Sequence, residues 1–81
     1  MKRITVLGAG MVGSVIATDL ASDPAHSVTI VDASKANLGA AALRAGRLGV
    51  PLATAEADCS SAAEIKRVIA DADMVAGALA S

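Results

Sequence analysis

The sequence predicts an α/β fold with a parallel sheet, and three observations predict it. Short apolar runs, among them Ile4 to Leu7, Val28 to Val31 and Met74 to Leu79, are separated by stretches whose apolar residues recur at helical spacing. The runs are nearly free of polar residues, as strands covered on both faces of a parallel sheet are. A glycine-rich turn, Gly8-Ala9-Gly10-Met11-Val12-Gly13, joins the first run to the first amphipathic stretch.

Each glycine of that turn has its own physical task in a strand-to-helix junction. Gly8 permits the tight turn, Gly10 leaves the backbone open to a pyrophosphate, and Gly13 lets helix and strand pack closely. The N–H groups of the first helical turn lack intrahelical partners and carry the positive end of the helix dipole, so they suit an anion. Three glycines can also mark nothing more than a flexible turn. Context favours the dinucleotide reading: a second strand, Ser27 to Val31, delivers Asp32 at a separation of 19 residues from Gly13, close to the roughly 20 of the fingerprint. A carboxylate there accepts hydrogen bonds from an adenosine ribose and repels a 2′-phosphate, so NAD is expected over NADP. Lys35 is the nearby cation that softens the preference, or else a solvated surface charge.

The elements follow in order. The first strand is Arg3 to Leu7. The first helix runs from about Gly10 to Ala21, with Val12, Val15, Ile16 and Leu20 as its apolar positions and Gly13 and Ala17 as a small-residue seam against the sheet. Ser22-Asp23-Pro24 ends it, because proline disfavours helical geometry in the residue before it. His26, beside this turn, is expected to be a solvated loop residue. Ser34 is the expected N-cap of a second helix, about Lys35 to Ala45, with Leu38, Ala41, Ala42 and Ala45 on one face and Leu38 and Leu43 as its large anchors. Gly39 costs it about 1 kcal/mol relative to alanine, so it is expected to be the least stable element. Gly46 and Gly49 mark its exit.

A third strand is expected over Pro51 to Ala57, followed by Asp58-Cys59-Ser60, which either reach an adenine or cap the next helix. Ser61 and Glu64 have capping-box spacing. The third helix, Ala62 to Ala70, carries Ile65, Val68, Ile69 and Ala72 on one face and Glu64, Lys66, Arg67 and Asp71 on the solvated one. Cys59 has no activating neighbour and is expected to be chemically inert. The last strand spans Asp73 to Leu79.

Composition limits the function classes. A chain of 81 residues makes one small domain, burying only about 60% of its unfolded surface. Its single cysteine forms no internal disulfide and belongs to no ligand set, which fits a reducing cytoplasm. A net charge of −1 and the absence of aromatic residues speak against nucleic acid as a partner. Met1-Lys2-Arg3 ahead of a charge-free run to Thr18 has the outline of a signal peptide, but the glycine spacing gives that run a specific structural meaning. Asp19 interrupts it before the roughly 20 apolar residues that a membrane span needs.

With these parts in sequence, the chain resembles the amino-terminal NAD(P)-binding domain of the saccharopine dehydrogenase family. The residues that carry the resemblance are Val6 to Gly13, Val28 to Asp32, Ala57-Asp58-Cys59, and Ala70 to Val75 leading into Gly77-Ala78-Leu79. It implies a Rossmann-like half domain over residues 1–81: a four-stranded parallel sheet of order 3-2-1-4 with three helices. It also implies an oxidoreductase that works at an amino acid's amine with a nicotinamide cofactor, as in lysine metabolism. Gly10, Met11 and Val12 would line the pyrophosphate, Asp32 and Ser34 the adenosine ribose, Asp58 and Cys59 the adenine, and Ala78 and Leu79 the path toward the nicotinamide. The family's substrate domain has no counterpart in these residues, so a fragment without a catalytic residue is expected. The open edge of the fourth strand is expected to pair with a second copy as a homodimer. Two alternatives stand beside this reading. One is a regulatory nucleotide-sensing domain of the potassium channel and transporter type, which typically carries glycine where this chain has Ala57. The other is a folded remnant without strong ligand binding.

Overall fold

A computed structural model of the chain describes residues 1–77. The elements are β1 (Lys2–Leu7), α1 (Met11–Ala21), β2 (His26–Asp32), α2 (Lys35–Leu48), β3 (Ala53–Glu56), α3 (Ala62–Ile69) and β4 (Met74–Gly77). All strand pairs are parallel and the sheet order is β3-β2-β1-β4. Chain order reverses at β1: α1 and β2 lead to one side of it, and β4 lies on the other. The carboxyl ends of β1 and β4 therefore flank the crevice where open α/β sheets bind ligands.

Alternation along the strands divides the core into two layers. Ile4, Val6, Val28 and Ile30 face α1 and α2, packing with Ala17, Ala21, Leu38 and Ala41. Leu7 and Val31 turn to the other face, where Ile65, Val68 and Ile69 of α3 cover them. Ile4, Val6, Ile30 and Val31 are the largest fully buried side chains. The two central strands thus carry most of the apolar burial.

The face that α1 buries keeps the expected Gly13–Ala17 seam but not all of the expected large residues. Gly13, Ser14, Ala17, Thr18 and Ala21 face inward, whereas Val12 is 66% and Val15 44% exposed. Ile16 and Leu20 pack at the margin of the core. The reason is the small-residue seam itself: it brings the helix axis close to the sheet, and that approach turns larger neighbours sideways. The Thr18 hydroxyl is satisfied in place by donating to the Ser14 carbonyl at 2.8 Å.

Helix α2 runs three residues beyond the expected end, through Gly46. It stops at Gly49, whose φ of +68° is left-handed backbone. Here the Gly49 N–H donates to Gly46 O at 3.2 Å and the Val50 N–H to Ala45 O at 3.0 Å, the paired bonds of a Schellman stop. Leu38, Ala41 and Ala45 are buried, but Ala42 is exposed and Leu43 is 57% exposed. Leu38 is therefore the one large anchor of this helix.

Strand β3 is shorter than expected, since Pro51 and Leu52 precede the ladder. His26 is the first residue of β2 rather than a loop residue, and its Nδ1 lies 2.8 Å from the Leu20 carbonyl. With a carbonyl as partner, Nδ1 is the donor. The ring thus ties the end of α1 to the start of β2. At the same edge Arg3 N–H donates to Asp73 Oδ2 at 2.8 Å, and Asp73 N–H to Arg3 O at 2.7 Å, which fixes where β4 begins.

Candidate functional site at the carboxyl edge of the sheet

The register sets the candidate residues in a row. Leu7 is level with Val31 and with Gly77, and Asp32 with Glu56. The turn after β1, the end of β2 and the turn after β3 therefore open on the same edge. Ala78 and Leu79, expected on the nicotinamide path, lie outside the described residues.

Gly8 has φ +102°, a conformation that residues with a Cβ rarely adopt. Its N–H donates to the Val31 carbonyl at 2.7 Å, carrying the β1–β2 ladder into the turn. Gly10 is different. As the N-cap of α1 it has φ −66° and ψ −173°, open to any residue, and a Cβ built on it meets nothing within 4 Å. The protein alone does not require glycine there; the open space a side chain would fill lies against the first turn of α1. No side chain caps that turn, so its N–H groups face outward. The Ser14 hydroxyl donates back to Ala9 O at 3.2 Å and holds helix and turn together.

Asp32 braces the turn from the next strand. Its Oδ2 accepts from the Ala9 N–H at 2.7 Å and its Oδ1 from the Ser34 N–H at 2.8 Å. Burial pushes its pKa up. The backbone N–H groups of Ala9 and Ser34, with the Asn37 side chain and the Ala33 backbone, outweigh burial and hold the carboxyl below its ordinary range. Asp32 is thus an ionised acceptor with fixed direction, and lone pairs remain on both oxygens. Ser34 caps α2 as expected: its Oγ accepts from the Asn37 N–H at 3.2 Å, and its own O–H remains a donor.

In the turn after β3 the polar groups of Asp58 and Ser60 bond to each other. Asp58 Oδ1 accepts from the Ser60 hydroxyl at 2.6 Å and the Ser60 N–H at 2.9 Å. The Ser60 side chain first, then its backbone, holds the exposed Asp58 carboxyl below its ordinary range. Capping of α3 falls to Ser61, whose Oγ accepts from the Glu64 N–H at 3.4 Å. The return half of the capping box is displaced, for Glu64 Oε1 accepts from the Asp58 N–H at 3.2 Å rather than from Ser61. Glu64 thereby shapes the turn that presents Asp58. Burial pushes the Cys59 thiol up, helped by the carboxylates of Asp32, Asp58 and Glu64, so it stays protonated and a poor nucleophile.

Two side chains near this edge escaped the sequence reading. Asn37 and Arg44, with Ala40 between them, line a cavity of about 320 Å³ beside Ala9, Gly10, Met11 and Ser14. Their spacing of i, i+3 and i+7 along α2 is the signal that could have found them. A cavity of about 390 Å³ lies farther along the same helix pair and touches no glycine of the turn. Among the described residues no group of three or more His, Cys, Asp or Glu side chains is arranged to hold a metal ion, and no helix is long and apolar enough to cross a membrane.

Comparison with known proteins follows the same lines. The sequence model of the saccharopine dehydrogenase NADP binding domain matches residues 4–80. Among solved structures the chain is similar to apo histidine-tagged saccharopine dehydrogenase (L-Glu forming) from Saccharomyces cerevisiae, with a TM-score of 0.77 and 26% identity. That similarity covers 99% of this chain and 17% of the yeast one, so the chain spans less than a fifth of the length of the enzyme it resembles. No match is found among curated proteins.

Proposed function

Because the chain belongs to the saccharopine dehydrogenase NADP binding domain family, we propose that it is the nicotinamide dinucleotide-binding part of a saccharopine dehydrogenase-like oxidoreductase. The observation that carries this reading is the open space at Gly10, against an uncapped helix start and next to a turn that only glycine suits at position 8. A pyrophosphate fits that position because the first-turn N–H groups of Met11, Val12 and Gly13 offer it donors. The adenosine ribose then meets Asp32 and the Ser34 hydroxyl, and the adenine lies toward Asp58 and Cys59. The bound cofactor supplies hydride transfer, and oxidation or reduction at an amino acid's amine is the chemistry that family membership favours. Membership also favours this reading over a regulatory nucleotide sensor.

The ionised Asp32 repels a 2′-phosphate, so NAD is the preferred cofactor although the family's description carries NADP. Among the described residues at this edge, Asp32 and Asp58 are held ionised and Cys59 protonated, and His26 lies at the opposite end of β2. On its own, the chain is expected to pair through the open edge of β4 as a homodimer in a reducing, cytoplasmic setting. Light scattering at increasing concentration tests the pairing, and a monomer throughout would count against it.

Binding is tested by calorimetric titration with NAD, NADP and adenosine diphosphate ribose, using the native chain and Gly10→Val. The native chain is expected to bind NAD with a Kd no weaker than about a millimolar, some 4 kcal/mol at standard state. The variant is expected to keep its circular dichroism spectrum while losing binding. Equal binding by both would remove the pyrophosphate from Gly10.

A further inference from the structure

Five of the eight large hydrophobic side chains exposed among the described residues lie on one helix pair. Met11, Val12 and Val15 belong to α1, and Leu43 and Leu48 to α2. Both helices turn their small residues and Leu38 to the sheet, so these five side chains are left on the side away from the core. An apolar residue alone on a surface needs no explanation, but a group of them on two adjacent helices marks an interaction surface.

The charges of the pair are sorted by helix. Asp19 is the one charged residue of α1, whereas α2 carries Lys35, Arg44 and Arg47, all cations. Asp19, Arg44 and Arg47 are exposed. The ion pairs among the described residues are Arg3–Asp73, His26–Asp23 and Arg67–Glu64, and none of these three takes part in them. The cavity of about 390 Å³ in the groove between the helices has Val15 and Asp19 on its α1 wall and Arg44 and Leu48 on its α2 wall. Acid and base thus stand at the same level of the groove, each beside an exposed apolar side chain, and Arg44 is steadied there by the bond from its Nε to the Thr18 hydroxyl at 3.3 Å.

We propose that the α1–α2 face binds the same face of a second copy of this chain. A two-fold axis running along the groove lays each α1 over the partner's α2 at the same height. Asp19 then meets Arg44 of the partner subunit, the contact is repeated by symmetry, and the exposed apolar residues of both copies are covered between the two ion pairs. Turning α1 onto α1 instead would set acid against acid and the cations of α2 against one another, so the charge pattern selects the first arrangement. Helices of 11 and 14 residues are about 16 and 21 Å long and about 10 Å wide, which gives a face of roughly 20 by 20 Å. This is the small end of specific interfaces, and the dimer is expected to be weak and concentration-dependent. The open edge of β4 borders the sheet beyond β1 and takes no part in this contact, so pairing at that edge and pairing here stand or fall separately.

The test is sedimentation equilibrium at concentrations up to about a millimolar, with the native chain, Asp19→Arg, Arg44→Asp and the double variant carrying both reversals. Circular dichroism checks that each variant is folded, and both positions are exposed. Each single reversal sets like charges opposite one another at two symmetric places and is expected to weaken one association step about tenfold or more. That step takes a native dimer to monomer, or, where the β4 edge also pairs, a native tetramer to dimer. The double variant exchanges the two charges and is expected to recover association to within about threefold of the native chain. A native chain that stays monomeric would overturn the proposal and leave the face to a different partner. An assembly that neither single reversal changes would also overturn it and assign pairing to the β4 edge. Loss in the single variants without recovery in the double one would overturn the Asp19–Arg44 arrangement on which the proposal stands.

Discussion

Replacing Asp32 by alanine removes two hydrogen bonds that hold the glycine turn to the second strand, and the cost can be worked from their geometry. The Ala9 N–H, on a residue only 2% exposed, loses an acceptor at 2.7 Å. A buried donor left without a partner costs about 1–3 kcal/mol. The half-buried Ser34 N–H loses its acceptor at 2.8 Å but can turn to water, adding about 0.5–1.5 kcal/mol. Asp32→Ala is therefore expected to destabilise the chain by about 1.5–4.5 kcal/mol, out of the roughly 4–12 kcal/mol that 81 residues typically provide. Asp32→Asn keeps a carbonyl acceptor for one donor and is expected to cost only about 1 kcal/mol. Without aromatic residues the chain has no intrinsic fluorescence, so urea unfolding is followed by far-ultraviolet circular dichroism. The sign of the pH dependence follows from the direction of the shift. A folded pKa held below the unfolded value of about 3.9 stabilises fully above that pH and is lost as pH falls through the folded value. The gap between native chain and Asp32→Ala should therefore narrow below about pH 4. A midpoint for Asp32→Ala equivalent to less than about 0.5 kcal/mol of change, well under the 1 kcal/mol floor for an orphaned buried donor, would falsify the bracing role.

Other substitutions probe separate parts of the fold. Gly8→Ala forces a Cβ into backbone at φ +102° and is expected to cost about 1–3 kcal/mol, read from the same unfolding curve. Ala17→Leu overpacks a fully buried position on the α1 seam and should cost about 1–3 kcal/mol, with loss of amide protection in β1 and β2 as a second readout. Ser61→Ala removes the cap of α3 and is expected to cost about 1 kcal/mol, whereas Glu64→Ala should chiefly alter the amide shift of Asp58, whose N–H it accepts. Thiol labelling of Cys59 should be slower at neutral pH than that of a free thiol, because its pKa is raised. Labelling at the free-thiol rate would contradict that environment.

Much of this arrangement was legible in the chain itself. The helix-capping roles of Ser34 and Ser61 and the delivery of Asp32 at the end of β2 follow from spacing and turn chemistry, which act locally, whereas the strand order is what the family resemblance implies. The Gly13–Ala17 seam of α1 is legible too, but the exposure of Val12 and Val15 is not, because periodicity weights residues by hydrophobicity and the sheet selects the inward face by size. The end of α2 was misjudged at Gly46 because propensity treats two glycines alike, whereas only Gly49 takes the left-handed conformation that stops the helix. His26 was misread for a related reason: the Leu20 carbonyl that engages its ring lies on the preceding helix, and that proximity exists only after folding. Arg44 stands 12 residues from Asp32, and only the packing of α2 beside α1 brings it to the cavity next to the turn.

The most direct test is a titration of the isotopically labelled chain with NAD, read by amide chemical shifts. The result predicted is saturable shifts concentrated at Gly8 to Gly13, Asp32 and Ser34, with smaller ones at Asp58 and Cys59 and none at the opposite edge around Lys2, Arg3 and His26. An unchanged spectrum at several millimolar NAD, or shifts confined to the opposite edge, would contradict dinucleotide binding at the glycine turn.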